Sequence, residues 1–235
     1  MRFVRELCER HALKKDGIAI RCKRGHLGIE KVQCDPTIIV SLTSFPGRIK
    51  TIDRTIITLL NQSLKPSHVI LWLADSQFPG RENDLPRRLI RLKEHGLEIR
   101  WCEDIRSYKK LVPALQAFPE AVIITVDDDW YYPRDLVQRM VEEHRLPPRE
   151  ILSNVITHPT LDEAGNLASD DGTSDFRGTA SFMHKVLGCS GVLYPPHALF
   201  DDVGDRRLFM RLAPTNDDIW FWAMAVLNHT KIRMP

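Results

Sequence analysis

Four short apolar runs constrain the fold of this chain more than any other feature. The runs are rich in β-branched residues, and in the segments between them apolar residues recur at the spacing of a helix. Strands that alternate with helices are joined by right-handed crossovers and build a parallel sheet. The pattern therefore predicts an α/β domain whose first four strands are residues 37–43, 69–73, 97–101 and 121–126.

Helices are predicted beside these strands, and the pattern becomes looser after residue 148. The predicted helices are residues 49–60, 89–95, 108–118, 133–144 and 216–228. Residues 151–157 are a further candidate strand, and residues 188–196 predict a turn, a short strand and the start of a helix. The polar stretch 162–178 is typical of a mobile surface loop and could act as a lid.

Length and composition fit one catalytic domain of the cytoplasm. The 235 residues, 43% of them hydrophobic, can bury a substantial core. A net charge of +2 is not the strong basic excess that is typical of nucleic-acid-binding proteins, so nucleic acid is not an expected partner. Five scattered cysteines without a C-x-x-C pair predict neither a disulfide framework nor a zinc site. The sequence contains no apolar run typical of a membrane span or a signal peptide, and a cytoplasmic location is expected.

Residues 1–35 form a basic segment, with a short amphipathic pattern up to about residue 15 and a candidate short strand at 18–20, ahead of the domain predicted for residues 36–235. Positions 1–31 carry nine Lys or Arg against four Asp or Glu. One interpretation is a solvated surface. The other is peripheral contact with anionic lipid at the inner face of a membrane, or with a phosphorylated acceptor.

Three adjacent acids, Asp127, Asp128 and Asp129, follow the fourth predicted strand. The carboxyl ends of strands are where α/β proteins place their chemistry. Neighbouring carboxylates raise one another's pKa, and a bound divalent cation removes this cost. One interpretation is therefore a metal site for a phosphate-bearing substrate. The other is an acidic loop in which an Asp caps the helix that opens near Pro133.

Six motifs follow one another along the chain: VSLTSFP at 40–46, LLNQSLKP at 59–66, SYKKLVPAL at 107–115, VDDD at 126–129, GVLYPP at 191–196 and DDIWF at 217–221. In this order they resemble bacterial family-2-like glycosyltransferases, above all those that act on lipopolysaccharide, capsule or other surface glycans. The resemblance runs from about residue 36 to residue 232. It implies a GT-A fold with a Rossmann-like, mostly parallel sheet flanked by helices, and a role in polysaccharide biosynthesis.

The resemblance also implies a nucleotide-diphosphate sugar donor, expected to be a UDP-hexose or UDP-N-acetylhexosamine, with GDP and dTDP as alternative nucleotides. It implies a Mn²⁺ or Mg²⁺ ion at a D-x-D motif made by Asp127 and Asp129. Asp129 is the expected direct ligand, and Asp127 is expected closer to the ribose. Asp128 belongs to the same donor site, with its side chain turned the opposite way. A hard cation held by carboxylates and diphosphate oxygens suits the departure of a nucleoside diphosphate.

Asp217 and Asp218 open the last predicted helix, at the position where inverting members of the family keep a general base. The resemblance implies that Asp218, or else Asp217, takes the proton of the acceptor hydroxyl. A structural role is the alternative, because the helix dipole favours acids in the first turn and Thr215 or Asn216 could cap the helix. A retaining mechanism also stays open, since the same fold hosts both outcomes.

Further residues are expected around the donor. Lys110 matches a family lysine near the nucleotide, and an ammonium is a good partner for phosphate. Arg48 has either a similar role or a surface role. Thr43 and Ser44 border the same crevice. Asp75, at the end of the second strand, either lies near the base or ribose or caps a loop.

The acceptor is expected to be a glycan or a lipid-linked saccharide that contacts Gly191, Tyr194 and Trp220. Glycine permits close approach and an aromatic ring can stack on a sugar, while core packing is the alternative for Tyr194. His229 is a candidate metal ligand, or else a helix C-cap. The chain stops at Pro235, where the family usually continues, so a truncated domain is one expectation.

The sequence thus predicts a metal-dependent glycosyltransferase and leaves two rivals. A sugar nucleotidyltransferase would need a glycine-rich, basic loop after the first strand, and residues 44–48 supply one glycine and one arginine. A noncatalytic glycan-binding protein could keep the same fold.

Overall fold

A computed structural model describes residues 27–30, 36–145, 149–161, 164, 167–169 and 175–235. Most of the predicted basic N-terminal segment and much of the predicted loop 162–178 therefore lie outside the described residues. Residues 27–30 belong to the folded body, because Leu27 and Ile29 pack against its core and the Gly28 N–H donates to the Leu60 carbonyl at 3.0 Å. No helix in the described ranges is long and apolar enough to span a bilayer.

The described residues form twelve strands and six α-helices. The strands are β1 (Ile38–Thr43), β2 (His68–Ala74), β3 (Leu97–Cys102), β4 (Val122–Thr125), β5 (Ile151–Ser153), β6 (Ile156–Thr157), β7 (Pro159–Leu161), β8 (Leu167–Ser169), β9 (Ala180–Ser181), β10 (Lys185–Val186), β11 (Val192–Tyr194) and β12 (Ile232–Arg233). The helices are α1 (Ile52–Leu60), α2 (Arg87–Ile90), α3 (Val112–Ala117), α4 (Leu136–His144), α5 (Arg206–Leu212) and α6 (Asp217–Leu227). Short 3₁₀ segments lie at Asp75–Gln77, Arg81–Asp84, Arg91–His95, Arg106–Lys110, Gly188–Ser190 and Asp201–Gly204.

One eight-stranded sheet, in the order β3-β2-β1-β4-β11-β5-β12-β9, organises the fold. Strands β3, β2, β1 and β4 are parallel, as the alternation of strands and helices predicts. Strand β11 then pairs antiparallel with both β4 and β5. Strand β12 runs parallel to β5, and β9 closes the edge antiparallel to β12. The predicted α/β class with a mostly parallel, helix-flanked sheet is confirmed.

Both faces of the parallel strands are buried, which explains why they read as continuous apolar runs. Val40 and Leu42 of β1 pack with Ile124 of β4 into one core, which α1 and α4 cover. Ile39 and Ile123 point to the opposite face, into a second core covered by α3, α5 and α6. Because side chains alternate along each strand, every strand contributes residues to both cores.

Some local predictions differ from the structure. The helix predicted for residues 89–95 is a short α-helix followed by a 3₁₀ turn, and the helix predicted for residues 108–118 begins as the 3₁₀ segment Arg106–Lys110. The strand predicted for residues 151–157 is divided between β5 and β6. The helix predicted to start at residues 195–196 is absent, since no α-helix begins in the described residues between Pro195 and Asp205, and α5 was not predicted. These short elements take their form from tertiary contacts, which a periodic pattern does not report.

A buried serine connects the sheet to the segment that carries Lys110. The Ser41 hydroxyl donates to the Lys110 carbonyl at 2.6 Å and accepts from the Trp72 indole N–H at 3.1 Å. Ser41 is fully buried, so water cannot replace either bond. This pair of bonds fixes the backbone of Lys110 against β1.

We expect the substitution Ser41→Ala to lower the free energy of unfolding by about 2–4 kcal/mol, since it leaves a buried carbonyl and a buried indole N–H unpaired. Urea denaturation monitored by circular dichroism measures this change. Ser63→Ala is the matched control, because the exposed Ser63 hydroxyl bonds only to Gln138 among the described residues and its loss should change stability by less than about 0.5 kcal/mol. Equal effects of the two substitutions would contradict the role assigned to Ser41.

Candidate functional site

The acidic triplet lies directly after β4, at the carboxyl edge of the parallel strands, and its middle member faces the protein. The Asp128 carboxylate is buried and accepts hydrogen bonds from the Ser44 hydroxyl at 2.5 Å and from Arg48 Nη1 at 2.8 Å. The Asp128 carbonyl accepts from the Thr55 hydroxyl of α1 at 3.0 Å. Ser44, Arg48 and Asp128, which were all predicted to bind the donor, are therefore joined to one another and hold the triplet in place.

The outer two acids of the triplet are the accessible ones. The side chains of Asp127 and Asp129 are 31% and 40% exposed. Burial raises the pKa of Asp129, the Arg48 guanidinium at 3.2 Å opposes this, and the charges of Asp127 and Asp128 add to the rise. Ionising this group is therefore costly in the protein alone, and a nearby cation would relieve the cost.

Asp127 and Asp129 fit a hard divalent cation in their chemistry. Carboxylate oxygens are the ligands that Mn²⁺ and Mg²⁺ prefer. Within the described residues, however, no group of three or more His, Cys, Asp or Glu side chains forms a ready-made metal site. The chain itself would supply two carboxylates, and the other ligands would come from substrate phosphates and water.

Lys110 joins the triplet to the start of α6. Its side chain is only 5% exposed, and its ammonium lies 3.0 Å from Asp127 Oδ1, 3.0 Å from Asp217 Oδ2 and 4.0 Å from Asp218 Oδ1. Burial opposes the charge, but the three carboxylates outweigh it and raise the pKa of Lys110 well above its ordinary value. The lysine predicted to meet the donor phosphates thus already has carboxylate partners.

The two acids that open α6 differ in their surroundings. Asp217 is buried against Lys110, whereas Asp218 is partly exposed and accepts the Gly188 N–H at 3.1 Å. Burial raises the pKa of Asp218, Lys110 opposes the rise, and Asp217 adds to it. Asn216 caps the helix by accepting the Ile219 N–H at 3.1 Å. A raised pKa in a partly accessible carboxylate is the property expected of a proton acceptor.

Two residues complete the cluster without having been assigned to it from the sequence. A Cβ built on Gly188 would lie 2.5 Å from Lys110 Nζ and 2.9 Å from Asp218 Oδ1, so only glycine lets these groups approach. The buried Tyr132 hydroxyl accepts the Asp127 N–H at 2.8 Å and donates to the Cys189 carbonyl at 2.9 Å. A glycine two residues after a short strand is a common feature of sequences, and so is a tyrosine three residues after an acidic triplet. Neither residue therefore gave a distinctive signal.

Thr43 and Asp75 lie at the same edge of the sheet as the triplet, as predicted. The Thr43 hydroxyl donates to the Trp72 carbonyl at 2.8 Å, which joins the ends of β1 and β2. Asp75 forms an exposed ion pair with Arg81 at 2.8 Å. Neither residue contacts the Lys110 cluster through a described bond, so their predicted contacts with the donor stay predictions.

The predicted acceptor residues require correction, because the structure places them in the core. Tyr194 is 2% exposed and packs edge-on against Phe221. Trp220 is 4% exposed, and its indole N–H donates to the Val203 carbonyl at 3.0 Å. Gly191 has a φ of +95°, and a Cβ there would lie 3.3 Å from Leu136 Cδ1. The aromatic rings fill the second core, and the glycine serves backbone geometry.

His229 requires correction as well, because the structure places it at the opposite edge of the sheet. Strand β12 runs in the same direction as β4, so a residue that precedes β12 lies near the amino end of β4. Asn228 donates to the His197 carbonyl at 2.9 Å, and His197 pairs with Glu120, just before β4. The triplet follows the other end of β4, so the structure does not bring His229 into the metal site.

Comparison with solved structures identifies the fold. The mannosyltransferase PcManGT from Pyrobaculum calidifontis, in complex with GDP-Man and Mn²⁺, matches 85% of this chain with a TM-score of 0.55 and 15% sequence identity. The chain spans 55% of the length of that protein. At this level of identity the match establishes a shared GT-A fold, as predicted.

Two further structures are more distant. S. aureus TarS 1–349 matches 83% of this chain and 57% of its own length, with a TM-score of 0.47 and 11% identity. A 4-diphosphocytidyl-2C-methyl-D-erythritol synthase matches 79% of this chain and 83% of its own length, with a TM-score of 0.45 and 7% identity. No protein-family model and no curated protein sequence matches the chain.

We expect Lys110→Met to lower the free energy of unfolding by about 3–5 kcal/mol at pH 8, because it leaves buried carboxylates without their cation. Burial and Asp217 already raise the pKa of Asp218 and Lys110 opposes the rise, so the loss of Lys110 should raise this pKa further, and proton uptake by Asp218 then relieves the repulsion. The loss relative to the unmodified chain should therefore shrink as the pH falls from 8 to 5, which urea denaturation at each pH measures.

Lys93→Met is the matched control, since it removes an exposed lysine paired with the exposed Glu82 and should change stability by less than about 1 kcal/mol. A deficit in Lys110→Met that did not depend on pH would show that lost packing, not charge, explains it.

Proposed function

We propose that this chain is a metal-dependent glycosyltransferase that moves a sugar from a nucleotide-diphosphate sugar to a glycan or lipid-linked acceptor. One observation carries the proposal: a single buried ammonium, that of Lys110, holds a carboxylate of the acidic triplet next to the two carboxylates that open α6. A donor site at the triplet and a proton acceptor at α6 would thereby lie side by side. That is the arrangement which sugar transfer to a hydroxyl requires.

The donor side of the proposal uses Asp127 and Asp129. These two carboxylates would hold Mn²⁺ or Mg²⁺, which neutralises the charge that develops on the departing diphosphate. The mannosyltransferase of similar fold was solved with GDP-Man and Mn²⁺, and this supports both a nucleotide-diphosphate sugar and Mn²⁺ here. The resemblance in the sequence favours UDP as the nucleotide, and GDP is the alternative.

The acceptor side of the proposal uses Asp218 as general base. In the transfer, the acceptor oxygen forms a bond to the anomeric carbon, the bond from that carbon to the diphosphate breaks, and the hydroxyl proton passes to Asp218. Attack on the face opposite the leaving group inverts the anomeric configuration. Asp217 would not share this task, because it is buried against Lys110 and holds that ammonium in place. Lys110 would act as a positioning residue for both sides.

We expect isothermal titration calorimetry to detect binding of UDP or GDP in the presence of Mn²⁺ and little binding without it. Asp129→Asn should weaken the metal-dependent binding at least tenfold, since the amide carries no negative charge for the cation. The thermal stability of the variant should stay close to that of the unmodified chain, because Asp129 is partly exposed.

Asp135→Asn is the matched control, because Asp135 is exposed and pairs only with Arg139 among the described residues. It should bind nucleotide as the unmodified chain does. Folded protein that binds neither nucleotide with Mn²⁺ would count against a donor site and favour a noncatalytic protein that keeps the fold.

We expect Asp218→Asn to slow transfer of the sugar, to an acceptor or to water, by about 10²–10⁴-fold, because it removes the proton acceptor. Binding of nucleotide and Mn²⁺ should be unchanged, since Asp218 lies on the acceptor side. Release of nucleoside diphosphate from a radiolabelled donor measures the rate. A rate within a few-fold of that of the unmodified chain would overturn the assignment of Asp218 and reopen a retaining mechanism.

A further inference from the structure

Tyr194 and Trp220 lie in the core, so other residues must bind the acceptor. Lys185 is a candidate, because its segment runs beside Asp218. Lys185 is on β10, which pairs with β6 and packs against α6. Its neighbours His184 and Val186 are buried, while Lys185 itself is partly exposed. Three residues later the Gly188 N–H donates to Asp218 at 3.1 Å, so this segment runs along the proposed base.

The Lys185 ammonium forms neither a hydrogen bond nor an ion pair in the described part of the chain. By contrast, the neighbouring buried lysines are paired, Lys109 with Asp104 at 3.0 Å and Lys110 with its carboxylates. Burial lowers the pKa of Lys185, and Asp218 is the group that opposes this. A partly desolvated cation that no carboxylate contacts directly is unfavourable, and a bound anion would relieve this cost.

We propose that Lys185 binds an anionic group, a phosphate or a carboxylate, carried by the acceptor beside Asp218. This inference rests on the proposed function, and it adds that the acceptor is negatively charged near the hydroxyl that reacts. The donor diphosphate is assigned to Asp127 and Asp129, and Lys110 lies between Asp127 and the carboxylates that open α6. Lys185 lies on the acceptor side of Lys110, because its strand leads directly to Gly188, whose N–H donates to Asp218.

Competition labelling of lysines tests the proposal without a known acceptor. The native chain is treated briefly with an amine-acetylating reagent, and acetylation of each lysine is measured by peptide mass spectrometry. The reaction is repeated with inorganic phosphate, with glucuronate, and with UDP or GDP plus Mn²⁺. An anion that binds Lys185 should slow its acetylation about threefold at twice its dissociation constant. The exposed Lys93 is the control and should react at the same rate throughout.

Protection of Lys185 by phosphate or by glucuronate, but not by nucleotide with Mn²⁺, is the expected result, and the more effective anion identifies the acceptor's charged group. Protection by nucleotide with Mn²⁺ alone would overturn the inference and assign Lys185 to the donor diphosphate. The absence of protection by every anion would overturn it as well. Calorimetry of nucleotide binding on the same samples tests the proposed function separately, because that binding does not require Lys185.

A pair of variants supplies a second measurement. The effective anion should raise the melting temperature of the unmodified chain and of Lys185→Arg, because both keep a cation, and should not raise that of Lys185→Gln. An equal shift in all three proteins would place the anion elsewhere and overturn the inference. Circular dichroism of each variant without added anion establishes that it is folded.

Discussion

The site depends on one buried ammonium. Lys110 is held where water cannot solvate it, and this is tolerable only because carboxylates from two distant parts of the chain surround it. Its backbone is fixed by Ser41, and its ammonium fixes Asp127 and Asp217. The first turn of α6 is thereby attached to the carboxyl end of β4. Without the Lys110 charge, the acidic triplet and the first turn of α6 would lose the ion pairs that hold them together, whether or not a ligand is bound.

The balance of charge around Lys110 is incomplete, and this has a chemical consequence. Five carboxylates face three cations, which leaves an excess of two negative charges at one edge of the sheet. The carboxylates are those of Asp127, Asp128, Asp129, Asp217 and Asp218, and the cations are Lys110, Arg48 and, beside Asp218, Lys185. In each pair of adjacent acids, one is structural and the other is accessible. Asp128 and Asp217 are buried against cations. Their neighbours Asp129 and Asp218 stay partly accessible. A surplus that the protein does not neutralise favours a divalent cation.

The sequence predicts the parallel half of the fold well, because strands that are buried on both faces are continuous apolar runs in the sequence. Strands β1 to β4 appear as apolar runs, and the triplet marks the end of the last one. The second half leaves no such pattern in the sequence, since β11 enters the sheet antiparallel and β12 returns parallel to β5. The edge that His229 reaches depends on those directions, and the burial of Tyr194 depends on a core closed by α6. Gly188 was missed as a member of the cluster for a similar reason: the need for a missing Cβ arises from Lys110, 78 positions earlier in the chain.

The effect of the Lys185 charge on the proton affinity of Asp218 connects the two proposals. A nearby cation lowers the proton affinity of a carboxylate, so an unpaired Lys185 would weaken Asp218 as a base. An anion bound to Lys185 would cancel that effect and restore the affinity at the moment when a hydroxyl is in place. The acceptor would then contribute to its own deprotonation, and water, which brings no anion, would be the poorer nucleophile. Such a site would protect the donor from hydrolysis without a closed lid.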